Sequence, residues 1–410
     1  VGGALPPARE HGAMEHGGPP PGDLRAVRRY RLARLRAELA KAELGGLLLF
    51  DQIAIRYATD STNMQVWCGH SEVRACLLVA GGPLVLYDYA RHPHLIAGLE
   101  GIDDYRVLPP LHFMFSGAES AAAARVLASE IDSLLRDYAG ANRRLAVDRC
   151  SPTLGQALGE TGLEILDAAP VTERARAIKS PGEAMLVRAA VAACDTACGA
   201  MKAALEPGIT EAQLWAKLHE ANIALGGEWI ETRLLTSGPR TNPWFRECSQ
   251  RVVEQGDLVC FDTDLIGPYG YCADISRSWL CGDGKPSDAQ RRLYAAAFEQ
   301  LQHNLALVKP GESFREISAR SWPIPARYAE RRYGVMLHGV GLADEWPSVY
   351  FAPDAAKNMD GVVEPGMVLS VESYLGEVGG REGVKLEEQV LVTEQGAEVL
   401  STLPLETDWL

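Results

Sequence analysis

Apolar residues return every three to four positions over 24–42, 120–138, 153–161, 183–205, 211–225, 287–308 and 313–333, the spacing of one face of a helix. Shorter apolar runs at 45–51, 73–80, 84–89, 144–147, 367–373, 384–393 and 397–401 predict strands, and strands with turns fill 228–281. Gly81, Gly82 and Pro83 fold 73–80 against 84–89 as a hairpin, although Arg74 leaves the start of its first strand undefined. Thr210 and Gln213 form a capping box for the helix that follows them, and Pro207 with Gly208 stops the one before. A boundary falls where Lys179 and Ser180 meet Pro181 and Gly182, ahead of a long Ala-rich helix. The alternation reads as α/β (α+β), with a smaller domain over 23–178 and a larger one over 179–410. Residues 1–22, rich in Gly and Pro, predict a flexible arm. One stretch, 55–71, is polar and aromatic with no clean period; it reads equally as a surface loop or as a loop reaching into a site.

Composition narrows the function. The 410 residues suffice for two domains with substantial cores. A net charge of −14 argues against a nucleic-acid partner, because a phosphate backbone requires a basic face. No apolar run reaches the roughly 18 residues of a membrane span, so no membrane association is expected. Nine cysteines, an odd number without a CxxC pair, read as free thiols in a reducing compartment. Cytoplasm is the expected location.

The chemistry concentrates in GDLVCFDTDLIGPYGYCADISRSWL, 256–280. Asp262 and Asp264 stand two apart on an apolar run, and a turn through Gly267, Pro268 and Gly270 brings Asp274 on a second run. Alternation along a strand points Asp262 and Asp264 the same way. Crowded carboxylates repel one another and lose solvation unless a cation sits between them, and hard oxygen ligands suit divalent ions. A metal ion is the simplest explanation of this stretch, and a solvated acidic hairpin is the alternative. The rest of the chain favours the metal. His338 lies in LHGVGL, Glu372 ends MVLSVE, and Glu387 sits within GVKLEEQVLV, giving D-x-D, D, H, E and E on successive apolar runs.

These blocks resemble those of the pita-bread metallopeptidases: the methionine aminopeptidases, prolidases and creatinase. The similarity covers about 175–402 and implies a C-terminal pita-bread fold preceded by a smaller creatinase-like α/β domain. It further implies two divalent metal ions. Asp274 and Glu387 would bridge them, His338 and Glu372 would complete one, and Asp262 would hold the other. The usual D-x-G is D-x-D here, so Asp264 is a further potential ligand.

Two departures redirect the function. Such peptidases carry a second histidine in H-G-x-G-x-x-x-H-E-x-P, where this chain has Asp344. In the block S-G-P…P-H, Trp244 falls about where the histidine belongs. Losing donors of this kind costs a hydrolase about 3–4 kcal/mol of barrier, which argues against peptide hydrolysis. A carboxylate base suits proton abstraction alpha to a carboxylate, and aromatic faces suit an onium cation. SGPRTNPWFREC, FDTDLIGPYG, RYATDSTNMQ and RYGVMLHGVGLADEWP resemble one branch in particular, the dimethylsulfoniopropionate lyases of the DddP type. That resemblance implies Asp344 as the base and Tyr333 as an aid in placing the sulfonium, with Trp244, Trp346 and Trp67 as candidate substrate contacts. It also implies iron as the metal, with manganese, zinc and cobalt as alternatives, and a homodimer in which one subunit's N-terminal domain covers the other's site. Two other readings compete with it. One is a creatinase or Xaa-Pro dipeptidase type of hydrolase, and the other is a metal-binding protein without catalysis, which would have no need of six ligands.

Overall fold

The helix predicted at 24–42 runs Leu24–Lys41 in a computed structural model that describes residues 23–410; the expected arm over 1–22 lies outside the described residues. Two units result, Asp23–Arg176 and Ala177–Leu410. In the first, six strands form a mixed sheet in the order Asp104–Val107, Leu84–Asp88, Ala75–Val79, Gly46–Leu49, Arg144–Val147 and Glu164–Asp167. The helix Ser120–Tyr138 buries Leu127, Ile131 and Leu135 in the same core as Leu48, Leu77 and Val85 of the sheet. Arg74 proves to be fully buried: it bonds Asp88 at 2.7 Å and Ser61 at 2.7 Å, so the strand begins one residue later.

The stretch without a period contains helices, Gln52–Thr59 and Gln65–Gly69. Asp51 caps the first by accepting from the amides of Ile53 and Ala54. Every residue of that helix except Ile53 is buried, the polar Gln52, Arg56 and Thr59 included.

The second unit opens with the helix Pro181–Ala203, capped by the reciprocal bonds of Ser180 and Glu183. This helix is long and apolar enough to cross a membrane by composition, yet Leu186, Val187, Ala190, Val191, Cys194 and Met201 are buried in the fold. The turn after Asp264 lies directly on it. A Cβ at Gly267 would come within 3.0 Å of the Ala190 Cα, a distance only glycine avoids.

Five antiparallel strands build the main sheet, in the order Asp344–Tyr350, Val335–Val340, Val368–Gly376, Gly383–Thr393 and Gly396–Val399. Leu369, Val371, Leu386 and Val390 share a core with Tyr294 and Leu301 of the helix Asp288–Leu305. Period-two alternation turns Ser370, Glu372, Lys385, Glu387 and Gln389 to the opposite face. A three-stranded sheet of Ser276–Leu280, Leu258–Asp262 and Leu235–Ser237 contributes Asp262.

Two expectations change. The helix predicted over 313–333 ends after one short run, Phe314–Ala319, because Pro323 and Pro325 remove backbone donors and clash with a preceding turn. Tyr333 therefore stands on an irregular segment tied to Tyr374 by a backbone bond of 3.2 Å. Asp264 does not alternate with Asp262 along one strand: the strand stops at Asp262, and Asp264 takes a left-handed φ of 37°.

Candidate metal centre

Register brings the carboxylates together. Glu372 and Glu387 are direct partners in the antiparallel pair of their strands, and His338 pairs with Ser370 two positions from Glu372. Asp262 pairs with Ser276, whose hydroxyl lies 2.8 Å from Asp262 Oδ1 and 2.7 Å from Glu387 Oε2. Asp274 is fixed through its main chain: its amide donates to Gln389 Oε1 at 3.0 Å, and its carbonyl accepts from Ser370 Oγ at 3.1 Å. The ligand-capable atoms form three close groups, each within 4.8 Å: Asp262, Asp274 and Glu387; His338, Glu372 and Glu387; and Asp274, His338 and Asp344.

Like charges directly opposite one another destabilise a sheet, so the Glu372–Glu387 pairing requires a cation. Lys385 supplies one. Its ammonium, fully buried, lies 3.1 Å from Asp262, 3.0 Å from Glu387 and in contact with Glu372, and donates to Ser276 Oγ at 2.9 Å. The sequence reading missed this residue. Its signal was spacing: in GVKLEEQ, Lys385 stands two before Glu387 and so shares its face.

After Lys385 and Ser276 are satisfied, two carboxylate oxygens of these close groups keep no hydrogen-bond partner, Asp274 Oδ1 and Glu387 Oε1; Glu388 Oε2, on the other face of its strand, is a third such buried oxygen. Orphaned anionic oxygens are costly unless something positive meets them. The first two belong to the residues that the resemblance marks as bridging, and each residue occurs in two of the close groups. His338 Nδ1 lies 3.1 Å from the Gly339 carbonyl, to which it can only donate, leaving Nε2 toward Asp274 at 3.2 Å and Glu372 at 3.5 Å. The donor set thus fits a pair of divalent cations.

Asp264 lies beside this cluster, outside the three groups, and accepts from Thr232 Oγ1 at 2.8 Å. Asp344 stands at the mouth, 3.8 Å from His338 Nδ1 with about half its side chain exposed (54%). Desolvation raises the carboxyls of Asp264, Asp344 and Glu387, and neighbouring carboxylates add to the rise. The same causes push Asp274 up to about 7. Asp262 goes the other way, to about 2: burial raises it, but the Lys385 ammonium together with hydrogen bonds to Glu387, Asp274 and Ser276 outweighs that rise. Burial works against the His338 imidazolium, yet Asp344, Asp274 and Glu372 raise it well above the ordinary histidine value.

The aromatic candidates separate. Tyr333 borders the cluster, with the Lys385 ammonium 5.6 Å from its ring centroid, and Phe245 packs 5.4 Å from it on the exposed side. Trp244 is buried and stacked on Tyr374 at 5.5 Å. Trp346 packs edge-on against Phe314 at 5.5 Å, beside the main core. Tyr333 packs against the same cluster as Trp244. Trp67 belongs to the first unit, where its indole donates to the Tyr89 hydroxyl at 3.3 Å.

Comparison with known proteins follows the same lines. Residues 185–394 match the model of metallopeptidase family M24, and residues 31–178 that of the creatinase/prolidase N-terminal domain. The chain is 43% identical over 390 residues to the dimethylsulfoniopropionate lyase DddP of Roseovarius nubinhibens, covering 94% of this chain and 87% of that protein. It is 44% identical to the DddP of Roseobacter denitrificans with the same coverage. Among solved structures, an Xaa-Pro dipeptidase from Bacillus anthracis superposes with a TM-score of 0.75 at 23% identity, covering 92% of this chain and 99% of that one.

Proposed function

The chain belongs to metallopeptidase family M24 and, within it, to the dimethylsulfoniopropionate lyases of the DddP type, and from that premise we propose how its site performs the elimination. It is a metal-dependent carbon–sulfur lyase that converts dimethylsulfoniopropionate to dimethyl sulfide and acrylate. The observation that carries the mechanism is Asp344, a half-exposed carboxylate at the mouth of the carboxylate–histidine cluster with its proton affinity raised by its surroundings. A base of that kind is poised to take a carbon-bound proton near neutral pH.

Asp344 takes a proton from the carbon alpha to the substrate carboxylate. The electron pair left behind forms the carbon–carbon double bond as the carbon–sulfur bond breaks, and the sulfur leaves with that bond's pair as neutral dimethyl sulfide. Two divalent ions, held by Asp262, Asp274, His338, Glu372 and Glu387 with Asp264 alongside, would supply Lewis acidity that makes the alpha proton removable. Tyr333, beside the cluster, places the sulfonium end. Iron is the proposed metal; manganese, zinc and cobalt suit the same ligands. A cytoplasmic homodimer is the proposed state, and the nine unpaired cysteines support a reducing compartment.

Peptide hydrolysis is disfavoured, since among the described residues His338 is the one imidazole in these close groups. Headspace analysis of purified protein with dimethylsulfoniopropionate decides between the reactions. Dimethyl sulfide and acrylate in equal amounts are expected; their absence together with cleavage of an Xaa-Pro dipeptide would overturn the lyase mechanism.

A further inference from the structure

Asp344 begins its strand, and its neighbour Glu345 points the other way, into the protein. Glu345 is almost fully buried and meets Lys179, equally buried, at 2.9 Å. Its second oxygen accepts the Leu342 amide at 3.1 Å, inside the turn that joins the His338 strand to the Asp344 strand. Gly341 leaves room for that carboxylate, since a Cβ there would lie 2.1 Å from Glu345 Oε1. The other end of the pair is equally fixed. The Lys179 amide donates to the Gly366 carbonyl at 2.8 Å, and the Gly366 amide to Val392 at 2.9 Å, so Lys179 is anchored where the Glu372 strand enters the sheet.

We propose that Lys179 is a positioning residue for the reaction: through Glu345 it fixes the turn and strand start that aim Asp344 at the substrate. The pair couples the base, across 166 positions of sequence, to the part of the sheet that carries the metal ligands. The side chain of Lys179 meets Glu345, and its amide meets Gly366. Its influence is geometric, and a displacement of the base by about 1 Å costs up to roughly 100-fold in rate. The inference rests on Asp344 being the base.

The test compares wild type, K179M, E345Q, the double variant K179M/E345Q and D344N as purified holoenzymes, at a temperature where each is folded. K179M strands a buried carboxylate and is expected to lower kcat about 10- to 100-fold, with KM and metal content close to wild type. E345Q keeps the acceptor for Leu342 and loses the ion pair, so it should fall in the same direction by less. The double variant removes both charges and should recover a substantial part of kcat, which a general loss of packing would not allow. Wild-type kcat in K179M and E345Q beside an inactive D344N would overturn the proposal. So would a K179M defect that tracks lost metal and is not repaired in the double variant. Activity retained in D344N would instead remove the base assignment, and with it this inference.

Discussion

Lys385 has the environment of a counter-ion, fully buried and ringed by Asp262, Glu372, Glu387 and Ser276. Removing one partner of a buried charge cluster strands the others, which generally costs roughly 3–5 kcal/mol. K385M should therefore lower the stability of the metal-free protein by that order, read from denaturant unfolding. For the base, D344N should abolish dimethyl sulfide release while metal content stays at the wild-type level; retained elimination would dismiss Asp344 from that role. Asp274 makes a prediction about pH. Its carboxyl, held up to about 7 in the folded protein, binds a proton there that the unfolded chain has already lost. Metal-free stability should consequently fall as pH rises from the ordinary aspartate range toward 7. Metal must displace that proton, so metal content after dialysis through a pH series should rise with pH across the same window. At this scale the sequence showed the carboxylates that cluster around His338, because their spacing on apolar runs is unusual. It did not show which rings Trp244 and Trp346 lie against, since an aromatic beside a motif looks the same whether its neighbour is Tyr374 or Phe314.

At the level of elements, helix caps and strand periods were legible, and the Ser120–Tyr138 helix and Arg144–Val147 strand fall where the pattern put them. Misreadings arose where local pattern and context disagree. The Gln52–Thr59 helix buries its polar residues Gln52, Arg56 and Thr59 along with its apolar ones, so their polarity misleads about exposure. The 313–333 helix had periodicity, but two prolines outrank it. Asp264 looked like part of a strand because alternation was assumed through a residue whose φ is 37°. The hairpin of Val335–Val340 with Asp344–Tyr350 offers an element-scale test. Pairing shifts at His338/Gly339, and a Cβ at Gly339 would sit 2.3 Å from the Trp346 carbonyl. G339A should force these strands apart and lower both thermal stability and metal retention, whereas G159A, in the helix Pro152–Glu160 with nothing within 4 Å of the added methyl, should change neither appreciably.

For the whole molecule, two regions with separate cores were readable from length and from the break near Lys179, because that break carries both a proline and a helix cap. The candidate ligands lie far apart along the chain. Asp262 and Glu387 belong to one close group only once the fold is complete, so the unfolded chain has no such site to offer. Ligands that bind only the folded state stabilise it by mass action, about 4 kcal/mol at a thousandfold excess over Kd. Chelation should then lower the unfolding temperature, and hydrogen exchange should quicken in the strands Val335–Val340, Val368–Gly376 and Gly383–Thr393. D274A and E387A should lose bound metal by elemental analysis; unchanged stoichiometry would contradict their assignment as bridges.

The pairing of Val368–Gly376 with Gly383–Thr393 has one more consequence. Nearly every residue of both strands is buried, so apolar pattern alone would tolerate several alignments. Polar contacts remove that freedom on both sides of the Gly383–Thr393 strand: Lys385 meets Glu372 of the neighbouring strand on one, while Glu388 on the other bonds the buried Arg277 at 2.8 Å. A slip by one residue would exchange the two faces and leave charged groups without partners in the interior. The carboxylate cluster is, in that sense, also a proofreading device for the sheet that bears it: a misaligned strand fails to fold before it could assemble the site.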